Sequence, residues 1–468
     1  MKWGECIERN EDNSMNRVFQ KIWNSRFGNY LLPLFFCIGN LANFIFFYMG
    51  LAYEENIVRK IGFIIINVFY AITAFAALLS ALRFGKMRLR LLLPLIAVVL
   101  LYAGYYLTSL IRFGCSTSWI YNTEQFVTFS FPAFCAGIYA ACRKNEESLF
   151  DCLEHLSVWT VPAALVYLNG ALFNCNPFGN GRDLGIINYM SVAYTLMPFL
   201  LAVILQFLDN KPLTLFGRTW KHPQWVRGAL IALFWVVLIA SGTRGSYFCV
   251  VGFCVCVVFS AFIHRRNRKK SVILSTAMVL LLCFNIFIYS PKGFNTDRMQ
   301  FFIDGLGKGE IVTSEKDDEL DSKLEELVKS DGNQQVANGD SSNGNESPKI
   351  TDRGTLYKLA WMEFQKNPLT GMGSMGYAVK YGMYPHNAVL QILCETGAVG
   401  AALFMTMILW AFIRILRSGQ KRKEVRFFLL FLVAYAIEAN ISGDFWNCPV
   451  LLCALGYGFA LSRAKEPS

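Results

Sequence analysis

Long apolar runs separated by short polar stretches dominate the chain. Runs near ~20 residues are long enough to cross a bilayer, and a helix is the element that satisfies its own backbone amides in lipid. About twelve runs qualify, and the pattern predicts an all-α, polytopic integral membrane protein with about 12 transmembrane helices. They lie near 31–51, 61–82, 91–111, 126–142, 156–173, 186–208, 228–243, 245–263, 272–290, 388–413, 427–441 and 446–462.

Composition agrees with this pattern and excludes several classes of protein. Hydrophobic residues make up 54% of the chain and charged residues 16%, which is too few charges to cover a soluble protein of this size. Soluble enzymes and secreted disulfide scaffolds are therefore excluded. The net charge of +11 comes from residues placed between the apolar runs. That placement indicates membrane topology and not a nucleic-acid-binding face.

The basic residues also predict the orientation of the chain. Alternate loops carry 28 Lys and Arg residues on one side and 5 in the short loops of the other side. Because basic loops stay in the cytoplasm, both termini are predicted to be cytoplasmic, which requires an even number of spans. The N-terminal segment 1–30 and the tail 463–468 then face the cytoplasm. The polar N-terminal segment predicts no cleavable signal peptide.

This topology leaves one large extracytoplasmic loop, 291–387, between transmembrane helices 1–9 (31–290) and 10–12 (388–462). Its middle, 307–349, is rich in polar residues and is predicted to be disordered. The fourteen cysteines lack the spacing of a metal site, so no metal is expected. Cys115, Cys175 and Cys448 fall near outward loops, and whether Cys115 pairs with Cys175 stays open.

An amphipathic helix is predicted in the loop after the polar tract. Thr351 or Asp352 can cap it, and Asn367-Pro368 ends it, since a residue before proline avoids the helical region. Its apolar positions are expected to rest on the membrane interface or on the bundle; they are Leu356, Tyr357, Ala360, Trp361 and Phe364. Arg353 in the first turn is either a ligand-binding residue or a solvated surface arginine.

The segment Gly371-Met372-Gly373-Ser374-Met375-Gly376 matches G-x-G-x-x-G. A dinucleotide site needs a βαβ unit around this motif, and the sequence predicts none. We interpret the glycines as a turn that lets the backbone approach another element. Donation of amides to a phosphate is the lesser alternative.

The segment from Pro385 to Gly400 holds the strongest chemical candidate, His386. On a regular helix, one face would be shared by His386, Leu390, Leu393, Gly397 and Gly400, with Glu395 on the opposite side. His386 would then stand at the outer mouth of the bundle. A lone histidine is ordinarily structural, so spacing alone leaves both roles open.

Further outward candidates lie in two short turns. Arg244 follows Ser241-Gly242-Thr243 in a predicted tight turn at the membrane surface, where an arginine must be solvated or paired. Asp444 lies in the turn Ser442-Gly443-Asp444, and Asp183 lies beside Arg182. Each acid has a structural interpretation as well as a functional one.

Taken together, these motifs resemble the O-antigen ligase and O-antigen polymerase superfamily of bacterial membrane glycosyltransferases. Three segments carry the resemblance, in order, across about 240–405. They are Ser241 to Gly245; Arg353 with Trp361 and Asn367 to Gly373; and His386-Asn387 with Glu395-Thr396-Gly397 and Gly400.

The resemblance implies transfer of a glycan from undecaprenyl diphosphate to a hydroxyl acceptor, with neither cofactor nor metal and with inversion at the anomeric carbon. It implies that His386 is the catalytic base and that Arg244 and Arg353 bind the diphosphate. A neutral imidazole suits proton abstraction, and permanent bidentate cations suit a diphosphate. The supporting residues would be Asn387, Glu395, Gly397, Gly400 and Asp444.

Several alternatives stay open in the sequence. Polymerase is slightly favoured over ligase, because nothing identifies a lipid A core site. The implied location is the bacterial cytoplasmic (inner) membrane with an extracytoplasmic active site. The expected partners are the undecaprenyl-diphosphate-linked donor, a glycan or lipid-linked acceptor and membrane lipids, with polysaccharide export or chain-length proteins undecided and no nucleic acid. The competing class is a lipid-linked oligosaccharide transporter or flippase, which predicts internal repeats that we do not find.

Overall fold

A computed structural model describes most of the predicted spans and the part of the large loop that begins at residue 353. The described residues are 17, 20–21, 23–24, 57–84, 92–114, 120, 123–124, 126–143, 146–173, 189–215, 218–220, 222–241, 243–265, 267–284, 353–381, 384–419, 423–441, 445 and 449–461. Several predictions lie outside them: the first span at 31–51, the polar tract 307–349, Asp183 and Asp444. The open question of a Cys115–Cys175 pair also lies outside them.

Among the described residues, regular secondary structure is helical apart from one pair of two-residue antiparallel strands, Thr214–Leu215 and Arg218–Thr219. The helices are α1 (Ile57–Phe84), α2 (Leu92–Phe113), α3 (Phe131–Arg143), α4 (Glu146–Phe173), α5 (Tyr189–Asp209), α6 (Pro223–Ser241), α7 (Arg244–Ile263), α8 (Arg268–Phe284), α9 (Arg353–Lys366), α10 (Gly376–Tyr381), α11 (Ala388–Gly419), α12 (Lys423–Ile441) and α13 (Pro449–Ala460). A π-helical turn, Phe126–Ser130, precedes α3. The predicted all-helical fold class is confirmed.

Six helical segments of the described chain are long and apolar enough to cross a membrane. They are Ile64–Arg83, Phe126–Arg143, Val192–Asp209, Pro223–Ser241, Gly245–Ile263 and Ala388–Arg417. Two shorter apolar helices, Phe428–Ile441 and Pro449–Ala460, follow them. The protein is therefore an integral membrane protein, and the count of twelve spans stays a prediction.

Contacts between helix ends show which of them lie at the same end of the helix bundle. At one end, Arg112 near the end of α2 bonds the Gly371 carbonyl, and Asn387 before α11 bonds the Asn440 carbonyl near the end of α12. We call this the site end. At the far end, Arg227 near the start of α6 meets Glu154 near the start of α4. These contacts agree with the predicted topology, in which successive spans run in opposite directions. Which end of the bundle faces outward stays a prediction.

Arg227 is one of the 28 basic residues counted above as loop charges, but it lies inside α6. Its side chain is fully buried, with Nε 2.5 Å from Glu154 Oε1 and Nη2 3.0 Å from Glu154 Oε2. Its Nη1 donates to the Lys211 carbonyl at 2.6 Å. A buried arginine is tolerated when such a set of bonds satisfies it. The pair joins α4 to α6 inside the bundle.

The chain divides into two compact units. One comprises Met1–Val279 with Arg353–Ser468, and the other comprises Leu280–Asp352. The site residues predicted from the sequence all fall in the first unit, which contains Arg244, Arg353 and His386. Their elements can therefore be described together.

Candidate functional site

Helix α9 carries Arg353 at its first position and runs to Lys366, directly before Asn367-Pro368, as the sequence predicts. Its buried positions are Leu356, Leu359 and Ala360, and the helix packs against α11. Trp361 is 47% exposed. The face that meets the bundle is therefore mainly aliphatic, and contact of Trp361 with the membrane interface stays a prediction.

A buried acid, Glu363, ties α9 to α10. Its Oε1 accepts hydrogen bonds from the Tyr381 hydroxyl at 2.8 Å and from Lys366 Nζ at 2.7 Å, with Lys380 Nζ at 3.5 Å. Burial works to raise the pKa of Glu363, but these hydrogen bonds and the two lysine charges outweigh it and hold that pKa below its ordinary value. The carboxylate is thus a charged anchor for the loop.

The glycine turn, residues 371–376, lies against the middle of the segment from Pro385 to Gly400. Met372 and Gly373 donate their amides to the carbonyls of Cys394 and Glu395 at 2.9 and 2.8 Å. The Met375 amide donates to Glu395 Oε2 at 2.8 Å. Gly371 has φ +66°, and a Cβ there would overlap the Glu395 carbonyl. The interpretation of these glycines as a close-approach turn is therefore correct.

Helix α11 is broken at Gly397, where φ is 66° and ψ is −176°. The residues after the break, Ala398 and Val399, donate their amides to the carbonyls of Pro368 and Leu369 at 2.7 and 3.3 Å. The loop thus supplies acceptors for the amides after the break, while the glycine turn supplies donors for the carbonyls before it. A break in an apolar helix needs such partners, because lipid provides none.

The predicted shared helix face from His386 to Gly400 is wrong. His386 precedes α11 and has φ 57°, so it is not on the helix. Gly397 interrupts the helical period, so Gly400 does not continue the face of Leu390. Glu395 lies in the helical part of α11 before the break, and its side chain bonds the glycine turn.

His386 is half-buried in a left-handed backbone conformation, and its ring lies 4.2 Å from the ring of Tyr384 between centroids. Such a φ is uncommon for a residue other than glycine and is often found at functional sites. Its neighbour Asn387 caps α11, with Oδ1 accepting the Leu390 amide at 3.0 Å. Asn387 Nδ2 donates to the Asn440 carbonyl at 3.1 Å. Asn387 therefore fixes the backbone that carries His386.

Gln391, which the sequence analysis missed, bonds Phe445, a residue that follows α12 in the chain. Its buried Oε1 accepts the Phe445 amide at 2.7 Å. Gln391 lies one helical turn after Asn387, and the two side chains bond Phe445 and Asn440 respectively. A polar residue four positions after Asn387 in an apolar segment was the available signal.

Helix α2 also contributes unpredicted contacts at the site end. Arg112 Nη1 donates to the Gly371 carbonyl at 2.9 Å, and Ser374 Oγ donates to the Tyr105 carbonyl at 2.8 Å. The Tyr105 hydroxyl donates to the Thr396 carbonyl at 3.4 Å. Gly400 leaves the space that this hydroxyl occupies, since a Cβ there would overlap it.

Arg244 begins α7, and only two residues separate it from Ser241 at the end of α6, so the predicted short connection is confirmed. Thr243 is the N-cap residue, and its carbonyl accepts the Ser246 amide at 3.1 Å. Further along, Gly252 lies against Ile437, so α7 and α12 are in close contact. Arg244 and Arg353 both occupy helix starts, and their binding roles stay predictions.

The middle of the chain matches a known family. Residues 229–405 match the family model described as O-antigen ligase. This segment is similar to O-antigen ligases. The matched segment contains α7, α9, the glycine turn and the break in α11, together with Arg244, Arg353 and His386. Asp444 and Glu438 lie beyond the matched residues. Comparison with curated proteins gives no match.

Proposed function

We propose that the protein is a metal-independent, inverting glycosyltransferase that moves a glycan from undecaprenyl diphosphate to a hydroxyl acceptor. The match of residues 229–405 to the O-antigen ligase family supports a glycosyltransferase-type enzyme that acts on lipid-linked glycans. The observation that carries the detailed proposal is the position of His386. It has a left-handed backbone, is followed by the cap Asn387, and lies at the site end of an apolar bundle.

In the proposed reaction, His386 accepts the proton of the acceptor hydroxyl as its oxygen attacks the anomeric carbon. The bond from that carbon to the diphosphate oxygen breaks, and undecaprenyl diphosphate leaves with the electron pair. Arg244 and Arg353 stabilise the negative charge that develops on the diphosphate. One direct displacement inverts the anomeric carbon.

The remaining predicted residues hold this arrangement. Asn387 fixes the backbone of His386, and Glu395 fixes the glycine turn. Gly397 and Gly400 give room to the loop and to the Tyr105 hydroxyl. Asp444 stays a proposed supporting residue.

We further propose that the site faces the outside of the bacterial cytoplasmic membrane, with both termini in the cytoplasm. The distribution of basic loops supports this orientation. Polymerase, with a second lipid-linked repeat as acceptor, is favoured over ligase, because no feature for a lipid A core is recognised. Chain-length or export proteins are proposed partners that follow from the polymerase assignment.

A transfer assay with purified protein in EDTA tests the proposal. The donor is undecaprenyl diphosphate oligosaccharide, and each acceptor class is supplied separately. Wild type should release undecaprenyl diphosphate and extend or attach the glycan. His386→Ala should lose activity by about 100-fold or more, the usual contribution of a general base. Arg244→Ala and Arg353→Ala should bind the donor more weakly.

Two exposed residues away from the site serve as matched controls. His264 lies at the end of α7, and Arg417 lies near the end of α11. His264→Ala and Arg417→Ala should retain wild-type activity. Two results together would favour the transporter. Wild type would transfer no glycan from any donor, and both wild type and His386→Ala would move the lipid-linked sugar across liposome membranes.

A further inference from the structure

Glu438 is an acid near the end of α12 that the proposed mechanism does not use. It is the one charged residue between Arg426 and Ile441 in the sequence. A carboxylate in an apolar membrane helix is costly and usually faces a partner or a water-filled cavity. Its location therefore calls for an explanation.

One neighbour of Glu438 is helix α7, which begins at Arg244. Gly252 of α7 lies against Ile437, and Cys249 is close enough to Glu438 for the two side chains to interact electrostatically. Cys249 is five residues from Arg244, which is about 7.5 Å along a helix. Glu438 thus faces the half of α7 that leads to Arg244.

On another side, α12 contacts α11 and the residue that precedes it. The Asn440 carbonyl, two residues after Glu438, accepts the hydrogen bond from Asn387, which directly follows His386. Helix α12 therefore contacts both the helix that carries Arg244 and the segment that carries His386. Glu438 lies in the same helical turn of α12 as these contacts, which are made by Ile437 and Asn440.

Within the described residues, no hydrogen bond or ion pair joins the Glu438 carboxylate to another side chain, and the residue is half-buried. Its electrostatic neighbour there is the Cys249 thiol, which is a weak donor and not a counter-ion. A carboxylate is an acceptor and needs donors. A ligand with hydroxyl groups can provide them.

The order of groups in the proposed displacement identifies this ligand. The sugar joined to the diphosphate must lie between the arginines that bind the leaving group and the base that activates the acceptor. A carboxylate would repel the diphosphate but would accept hydrogen bonds from sugar hydroxyls. We infer that Glu438 binds hydroxyl groups of the donor sugar that is attached to the diphosphate. This inference rests on the proposed function.

Binding of two lipids separates this contact from the phosphate contacts. The probes are the lipid-linked oligosaccharide isolated from the organism's own membranes and undecaprenyl diphosphate without sugar. Glu438→Gln should weaken binding of the glycan-carrying lipid by about tenfold or more, as expected for a charge-assisted hydrogen bond, and leave the bare lipid unaffected. Arg244→Ala should weaken binding of both lipids.

Glu424→Gln, the same change at the other end of α12, is the matched control and should bind both lipids as wild type does. All variants are compared as monodisperse fractions from gel filtration, with Glu438→Asp as a second variant that should bind the glycan-carrying lipid better than Glu438→Gln. Equal weakening of both lipids by Glu438→Gln, or no change in either, would overturn the inference. A wild type that binds both lipids but transfers nothing would refute the proposed function and leave the Glu438 contact standing.

Discussion

Replacing Gly397 by alanine should destabilise the protein more than the same replacement at a helical glycine whose Cβ would meet no other atom. The backbone at φ 66° and ψ −176° lies in a region that is essentially restricted to glycine, and an alanine held there costs about 1–3 kcal/mol. A Cβ would also overlap the Leu369 carbonyl.

That overlap has a further cost, because the loop must move away from the break. Two hydrogen bonds would weaken, from Ala398 to the Pro368 carbonyl and from Val399 to the Leu369 carbonyl. At about 0.5–1.5 kcal/mol each, they bring the total to about 2–6 kcal/mol. Against a typical stability of about 5–15 kcal/mol, this is a large fraction.

The matched control is Gly104→Ala in α2. A Cβ at Gly104 meets nothing within 4 Å, and alanine is favoured over glycine in a helix by about 1 kcal/mol. Thermal unfolding in detergent, followed by gel filtration of the soluble fraction, compares the variants. Gly397→Ala should unfold well below wild type, whereas Gly104→Ala should equal or exceed it. Equal unfolding temperatures for the two variants would refute the reasoning about the break.

Three further predictions concern other contacts. Gly400→Ala should lower the unfolding temperature because its Cβ overlaps the Tyr105 hydroxyl, and adding Tyr105→Phe should recover part of the loss; a double variant no more stable than Gly400→Ala would contradict this. Glu154→Ala and Arg227→Ala should each cost about 3–5 kcal/mol in denaturant unfolding, because each leaves a buried charge; the double variant should lose less than the sum, and additive losses would be the contrary result. The pKa of Glu363 is lowered in the folded protein, so its stabilising contribution is present at neutral pH and is lost as the pH falls through that lowered pKa. Unfolding temperatures across the acid range should therefore depend less on pH in Glu363→Gln, and an unchanged acid slope would show that the pairing is unimportant.

The sequence was sufficient for the helices because hydrophobic runs are local. The structure has a helix at each predicted span from 61–82 onward, and α9 begins and ends beside the residues that the sequence indicated. The glycine turn was also predictable in kind, since only close backbone approach explained its glycines outside a βαβ unit. The sequence did not predict which groups this turn contacts, namely the carbonyls of Cys394 and Glu395.

What failed depended on contacts between distant parts of the chain. The helical face from His386 to Gly400 assumed an unbroken helical period. The break is stabilised by the Pro368 and Leu369 carbonyls, which accept the amides after it and lie about 30 positions earlier in the chain. Arg227 was counted with the loop charges, because nothing near it in the sequence indicates Glu154. Such pairings cannot be read from a single local pattern.

The break in α11 also makes the chain length between His386 and Gly397 a fixed dimension. Eleven positions separate them, and both ends of this interval are held by other elements: Asn387 by the Asn440 carbonyl, and the break by the loop. One inserted or deleted residue would rotate one end against the other by about 100° and shift it by about 1.5 Å. Both sets of bonds could not then form together. We therefore expect this interval to accept substitutions far more readily than insertions or deletions.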